Sequence, residues 1–368
     1  MYGLELVLFL LGSFIITYIV IPKVINVVHY RQLHDDPNER SSHNKNTPTL
    51  GGIAFYFTFS IALFFLAKWD TSAIINSLVP GLTILFIIGL KDDLVSVSPL
   101  TKILAQITAI AFLLSNNDLL ITSLNGFLGI YEIHYITSYV ISTLFMLSII
   151  NSFNLIDGID GLAAGIGIIV CSLFSILFFL TDQLFYSFIS IVLVGVLVAF
   201  LFYNLSDRKK IFMGDTGSLI IGFLISFLCI KLLSTKPVML EPLPFIVENL
   251  PIIVGAAIII PLFDTVSVFI IRTTTGKRFF EADRNHIHHT FLEFGYSHRR
   301  VSFIISLISL IFFGLIFFVS QFFNSFVVFF ASLVFLFLVG FILYNIRQNV
   351  KQPKIPASLL QRIFKIFF

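Results

Sequence analysis

The sequence predicts an all-α integral membrane protein with about eleven transmembrane helices, its N-terminus external and its C-terminus cytoplasmic. Two patterns carry that prediction. Apolar runs recur along almost the whole chain, and the basic residues between them fall almost entirely on alternate loops. Composition excludes a soluble fold. Of 368 residues, 57% are hydrophobic and 12% charged, with 45 Phe and a mean hydropathy of +1.00. Soluble domains carry about a quarter charged residues.

A hydrocarbon core about 30 Å thick needs about 20 apolar residues per helix. The runs lie at Leu4–Ile21, Leu50–Ala67, Ile74–Leu90, Ile103–Leu114, Tyr135–Ile150, Leu162–Leu180, Leu184–Tyr203, Ser218–Leu233, Ile252–Ile271, Val301–Val319 and Phe326–Ile346. The fourth is short and is expected to extend through Leu100 and Ser115. The first has no basic leader and no small-residue cleavage site, and is read as a retained helix. Cys171 and Cys229 fall inside runs and are expected to be small buried hydrophobes.

An odd number of crossings puts the termini on opposite sides. Residues 22–49, 91–102, 151–161, 204–217, 272–300 and the tail after 346 form one set of alternate loops. That set holds all of the 23 Lys and Arg except Lys68, Lys231 and Lys236. The excess of basic residues marks it as cytoplasmic. Residues 1–346 then form one polytopic domain, and 347–368 a basic cytoplasmic tail able to form an amphipathic helix on the membrane surface.

The same loops hold the chemistry. They read Gly89-Leu-Lys-Asp92-Asp93, then Asn151-Ser-Phe-Asn154-Leu-Ile-Asp157-Gly-Ile-Asp160-Gly161. These are followed by Asp207-Arg-Lys-Lys-Ile-Phe212-Met-Gly-Asp215-Thr-Gly-Ser218 and Asp283-Arg284-Asn285-His286-Ile-His288-His289. Each has a plain reading alone. Asp92-Asp93 suits a solvated helix end, Asp-Gly-Ile-Asp-Gly a turn, and Gly-Asp-Thr-Gly-Ser a helix entry capped by Thr216 or Ser218. The three His suit a zinc site only with a distant fourth ligand. Together they say more. Crowded carboxylates repel unless a cation neutralises them. Mg²⁺ takes a few carboxylates and leaves places for phosphate oxygens, and Arg, Lys and protonated His complement phosphate. The combination points to Mg²⁺-dependent phosphoryl chemistry at a membrane face.

These motifs, with Thr47-Pro-Thr-Leu-Gly51-Gly52 before the second run, resemble the polyprenyl-phosphate N-acetylhexosamine-1-phosphate transferase superfamily over roughly residues 1–345. The nearest branch is the undecaprenyl-phosphate N-acetylglucosamine-1-phosphate transferases. The phospho-MurNAc-pentapeptide transferases typically carry three consecutive His, unlike His286-Ile-His288-His289 here. The resemblance implies attack of a polyprenyl phosphate on the β-phosphorus of a UDP-N-acetylhexosamine, releasing UMP. UDP-GlcNAc is the expected donor, with UDP-GalNAc, UDP-QuiNAc, UDP-FucNAc and UDP-MurNAc-pentapeptide as alternatives. The enzyme would sit in the inner (cytoplasmic) membrane, face the cytoplasm and make the first lipid-linked intermediate of a surface polysaccharide such as O-antigen.

The resemblance further implies that Asp215 holds Mg²⁺ (or Mn²⁺ in its place), and that Asp92 and Asp93 position the lipid phosphate or assist its deprotonation. Asp157 and Asp160 would complete the acidic pocket beside Asn154. Arg284, His286, His288 and His289 would hold phosphates and the departing UMP. Phe212 is a candidate lining for the uridine pocket or an apolar core residue; Lys102 is a phosphate contact or a snorkelling lysine. Gly51 and Gly52 are expected to allow close backbone packing. Asp264, beside Pro261 in the ninth run, is a candidate by its intramembrane charge. No nucleic-acid partner is expected, and a homodimer is allowed. A transporter would concentrate polar groups near the midplane; apart from Asp264, the run centres here are nearly free of charge.

Overall fold

In hydrocarbon a single segment satisfies its own backbone polar groups only as a helix, and the apolar runs fold accordingly. The computed structural model describes residues 2–31, 47–70, 72–274, 291–292 and 296–351. In order they form α1 (Tyr2–Arg31), α2 (Gly52–Leu66), α3 (Ile75–Leu94), α4 (Pro99–Leu114), α5 (Tyr135–Ile156), α6 (Leu162–Leu180), α7 (Leu184–Asn204), α8 (Gly214–Leu233), α9 (Leu250–Ala257), α10 (Ile259–Thr274), α11 (His298–Val319) and α12 (Ser325–Lys351). The expected tail thus begins inside α12. Arg284, His286, His288, His289 and residues 352–368 lie outside the described residues.

Each run appears as helix, but they are not equivalent spans. Among the described residues, eight helices are long and apolar enough to cross a membrane, or nine with the bent α9–α10 pair. Helix α4 has 16 residues, about 24 Å at 1.5 Å per residue. That falls short of the roughly 30 Å core. The ninth run breaks between Ala257 and Ile259, where its halves meet at 67°. Pro261 explains the position: it has no N–H for the Ala257 carbonyl, yet fits the first turn of α10.

One feature departs from the all-α expectation. Residues 115–134 contain an antiparallel hairpin, β1 (Ser123–Phe127) with β2 (Ile130–Glu132). Its tight turn needs positive φ at two successive residues, and Leu128 (49°) and Gly129 (81°) supply them.

Helix α8 is the axis of the bundle. Every residue from Thr216 to Ile230 is buried, as a helix apolar on all faces must be, and α2, α3, α5 and α6 pack around it. Helix α1 packs on α7 and α7 on α6. At the α2–α8 crossing, a Cβ on Gly52 would lie 2.2 Å from the Gly217 nitrogen. The backbones touch there, and only glycine permits it.

The two sets of connections separate in space. On one side, Asn116 donates to the Ser72 carbonyl, Ser234 to the Asp118 carbonyl, Gln183 to Thr235, and Asn249 to the Ser320 and Phe323 carbonyls. The loops with the acidic motifs meet at the other end.

Candidate active site

The N-terminus of α8 organises the site. The residue before Gly214 provides no side-chain cap, so the first backbone N–H groups of α8 need acceptors from elsewhere. Asp93, near the end of α3, supplies them. Its carboxylate accepts from the backbone N–H of Asp215 (2.7 Å) and of Thr216 (3.0 Å), and from the Thr216 hydroxyl. Neither Thr216 nor Ser218 is the cap that the sequence suggested. Gly214 has φ +71°, and a Cβ there would lie 2.0 Å from the Thr49 carbonyl and 2.7 Å from the Asp93 carboxylate. This turn admits no side chain.

The segment before α2 pairs with the same turn. Phe212 N–H donates to the Pro48 carbonyl (2.8 Å), Gly51 N–H to the Phe212 carbonyl (3.0 Å) and Gly52 N–H to the Met213 carbonyl (3.1 Å). The Thr47-Pro-Thr-Leu-Gly-Gly motif is therefore joined by backbone hydrogen bonds to the Phe-Met-Gly-Asp motif, and packing at Gly51 and Gly52 is close as expected.

Lys102 stands at the centre of charge. Its ammonium lies 2.8 Å from Asp215 Oδ1 and 3.1 Å from Asp92 Oδ2, and donates to Asn154 Oδ1 at 3.4 Å. A snorkelling lysine would reach for water; this one bridges two carboxylates from two helices. Asn154 donates from Nδ2 to Asp215 and to the Ser218 hydroxyl (2.8 Å). Asp92 also accepts from the Val97 backbone N–H at 2.7 Å, closing the α3–α4 turn. Adjacent residues on a helix point to different faces, so Asp92 and Asp93 serve different partners.

Around Asp160 a second group assembles. Lys210 Nζ lies 2.6 Å and His298 Nδ1 3.6 Å from Asp160 Oδ2, while the Ser302 hydroxyl donates to the Asp160 carbonyl at 2.6 Å. Lys210 also sits 5.1 Å from the Phe212 ring centroid. Asn204 ties the loops together, accepting from Gly161 N–H (2.6 Å) and donating to the Ile211 carbonyl (2.9 Å). Sequence reasoning did not single out Lys210, Asn204, His298 or Ser302. Lys210 lay inside a quoted loop, but nothing local told it from its basic neighbours.

Between the two groups lies a cavity of about 370 Å³, lined by Asp93, Asn154, Asp157, Asp160, Phe212 and Asp215 among others. That is within the roughly 300–1,000 Å³ of small-molecule sites. Asp157, half-buried just past the end of α5, is held well above the usual carboxylate range by burial, then by the charges of Asp215, Asp93 and Asp160. The cavity thus resists further negative charge until a cation or a proton enters. Asp264 does not line it. It is buried on α10, where the neighbouring Thr265 donates to Ser152 of α5 at 3.0 Å.

The donor set fits a hard divalent cation. Its candidate ligands are carboxylate oxygens opening on a cavity, with Asp215 foremost. Among the described residues no three His, Cys, Asp or Glu side chains converge as a ready-made cage. Mg²⁺ does not require one, since it typically takes one or two carboxylates and completes its shell with water and phosphate.

Residues 75–233 match the description glycosyl transferase family 4. The chain is 32% identical over 331 residues to a decaprenyl-phosphate N-acetylglucosaminephosphotransferase of Mycobacterium leprae, covering 82% of this chain and 81% of the relative. It is 30% identical to a probable undecaprenyl-phosphate N-acetylglucosaminyl 1-phosphate transferase of Bacillus subtilis, covering 84% and 83%. It is also 30% identical to a phospho-N-acetylmuramoyl-pentapeptide-transferase of Clostridium botulinum, covering 81% and 90%. With this kinship and its apolar helices, the chain is a multi-pass membrane transferase that belongs to glycosyl transferase family 4, among the polyprenyl-phosphate N-acetylhexosamine-1-phosphate transferases.

Proposed function

We propose that the protein transfers N-acetylglucosamine 1-phosphate from UDP-GlcNAc to undecaprenyl phosphate, giving the polyprenyl-diphospho-sugar and UMP, at the cytoplasmic face of the inner membrane. The observation that carries this reading is the cavity at the end of α8. There, Asp93, Asp157, Asp160 and Asp215 surround a space flanked by Lys102 and Lys210. Two phosphorylated substrates must meet at such a site, and a phosphate monoester has a second pKa near 6. Near neutral pH the acceptor is mostly dianionic and needs little help from a base. The barrier is bringing that dianion to a diphosphate, so positioning and charge compensation do most of the catalysis.

Asp215 would hold Mg²⁺ beside Asp157, and the ion when bound supplies the positive charge that lets two phosphates approach. Lys102 fixes the orientation of Asp215. Asn154 orients the same carboxylate through its amide. Lys210 holds Asp160 and faces Phe212, leaving the ring at the cavity wall for a nucleobase. Arg284, His286, His288 and His289 are assigned to the phosphates and the departing UMP. The His-Ile-His-His form favours the N-acetylglucosamine donor over the MurNAc-pentapeptide one.

The test is UMP release by purified protein given undecaprenyl phosphate, Mg²⁺ and a panel of UDP-sugars. UDP-GlcNAc should be among the best donors and UDP-MurNAc-pentapeptide inert. Asp215→Asn keeps the shape and should lose turnover by orders of magnitude. No UMP release with any donor would refute the reaction, and turnover of the pentapeptide donor would refute the sugar.

A further inference from the structure

One helical turn deeper than the Lys102–Asn154 contact, α4 and α5 share a second polar rung. Gln106 Nε2 donates to Asn151 Oδ1 (3.3 Å), and Asn151 Nδ2 donates back to Gln106 Oε1 (2.9 Å) and to the Leu147 carbonyl (2.8 Å). Gln106 is fully buried. It lies four residues after Lys102, and Asn151 three before Asn154, so each residue of the upper rung stands over one of the lower on the same helix face.

We propose that the Gln106–Asn151 amide pair is a positioning device: it fixes the register of α4 on α5 and so holds Lys102 between Asp92 and Asp215. Resting on the reaction proposed above, it makes both amides positioning residues for turnover, acting through Lys102 and not on substrate.

The amide pair selects one register of α4 on α5. An apolar pair of similar shape would pack these helices about as well, since replacing both partners of a buried hydrogen bond is often nearly neutral. What the amides add is selectivity. Two reciprocal bonds form only when the side chains lie opposite each other. A slip of one residue turns a helix by about 100° and shifts it by 1.5 Å, leaving both amides unpaired. Lys102 cannot fix its own place, because its stem is long and flexible. Its ammonium must still meet carboxylates from α3 and α8, and Asn154 on α5. The backbone that carries it has to be held from below, and Gln106 is the residue on that face that does so.

The experiment compares full-length wild type, Gln106→Leu, the double apolar variant Gln106→Leu/Asn151→Leu, and the swap Gln106→Asn/Asn151→Gln, which keeps both amides and the total length. Each is assayed for UMP release with undecaprenyl phosphate, UDP-GlcNAc and Mg²⁺. In parallel, acetylation of Lys102 by acetic anhydride is followed by mass spectrometry. The double apolar variant leaves no orphaned amide, so it should fold even if the single one does not. Both Leu variants should lose kcat by about 10- to 100-fold, the scale of an ångström-sized misplacement. Their KM should stay within about a factor of two, and Lys102 should acetylate faster than in wild type. The swap should recover protection and much of the turnover. Wild-type turnover in the Leu variants would overturn the proposal, and so would lost turnover with Lys102 as protected as before. An inactive wild type would refute the reaction instead, while the acetylation comparison would still support or overturn the role of the amide pair.

Discussion

Replacing Lys102 by Met keeps the apolar stem and removes the ammonium that Asp92 and Asp215 share. At about 3 Å and an effective dielectric of about 20, each pair attracts by about 5 kcal/mol before desolvation is charged against it. Breaking a buried ion pair costs about 3–5 kcal/mol, and an exposed one is worth about 0–1. With side-chain exposures of 16% for Lys102, 13% for Asp92 and 31% for Asp215, the site falls between these limits. The expected loss is about 1–3 kcal/mol in cation-free buffer. Cys171 and Cys229 provide the assay, since both are free and buried. A thiol-reactive fluorophore therefore reports unfolding in detergent. Lys102→Met should melt below wild type in chelator and recover much of the difference in millimolar Mg²⁺, because the ion can neutralise the carboxylates the lysine left. Identical melting of both proteins in chelator would refute this account of the charge balance.

Gly52→Ala places a methyl 2.2 Å from the Gly217 nitrogen and should cost at least about 1–3 kcal/mol by overpacking. Gly12→Ala, with nothing within 4 Å, should express and melt like wild type. Burial and neighbouring carboxylates raise the pKa of Asp157 in the folded state. Its ionisation therefore subtracts stability once pH exceeds the unfolded value near 3.9, by up to about 1.4 kcal/mol per pH unit until the raised pKa is reached. In chelator, Asp157→Asn should melt above wild type at pH 8, with the difference shrinking towards pH 4; a constant difference would count against the crowding. For orientation, Asn117→Cys should react with an impermeant thiol reagent from outside, and Lys209→Cys only after permeabilisation. Labelling of both from one side would overturn the assignment.

The helices were legible because hydrocarbon leaves the backbone few choices, and the loops that share a face because charge marks the side of a membrane. What shares a face does not say what touches. Lys102 and Asp215 are 113 positions apart, Asn154 and Asp215 are 61, and no period or propensity links them. The motifs point to the carboxylates of the cavity and to Lys102 and Asn154, but not to the residues around Asp160: Lys210, Asn204, His298 and Ser302 look like ordinary loop and helix residues until the loops meet. Pro261 stands out in the sequence for its company with Asp264, whereas its larger effect is on the Ala257 carbonyl and the bend of α9 on α10. The hairpin is not legible in the sequence because Leu128, half of its turn, is not a residue type that advertises positive φ. Gln106 looks in the sequence like one polar residue in an apolar run.

The cap that Asp93 lends to α8 changes what an inactive variant means. Its carboxylate accepts the first N–H groups of the central helix from a different helix, so Asp93→Ala or Asp93→Asn loosens the α3–α8 joint as well as removing a charge. Loss of turnover there would look the same whether Asp93 moves a proton, steers a phosphate or only keeps the mouth of the cavity in shape. Asp92, one residue away, is tied to the α3–α4 turn and to Lys102, so the two acids of the pair need separate experiments. For Asp93, a kinetic defect speaks to chemistry only when the amide protons of Asp215 and Thr216 exchange with solvent as slowly as in wild type.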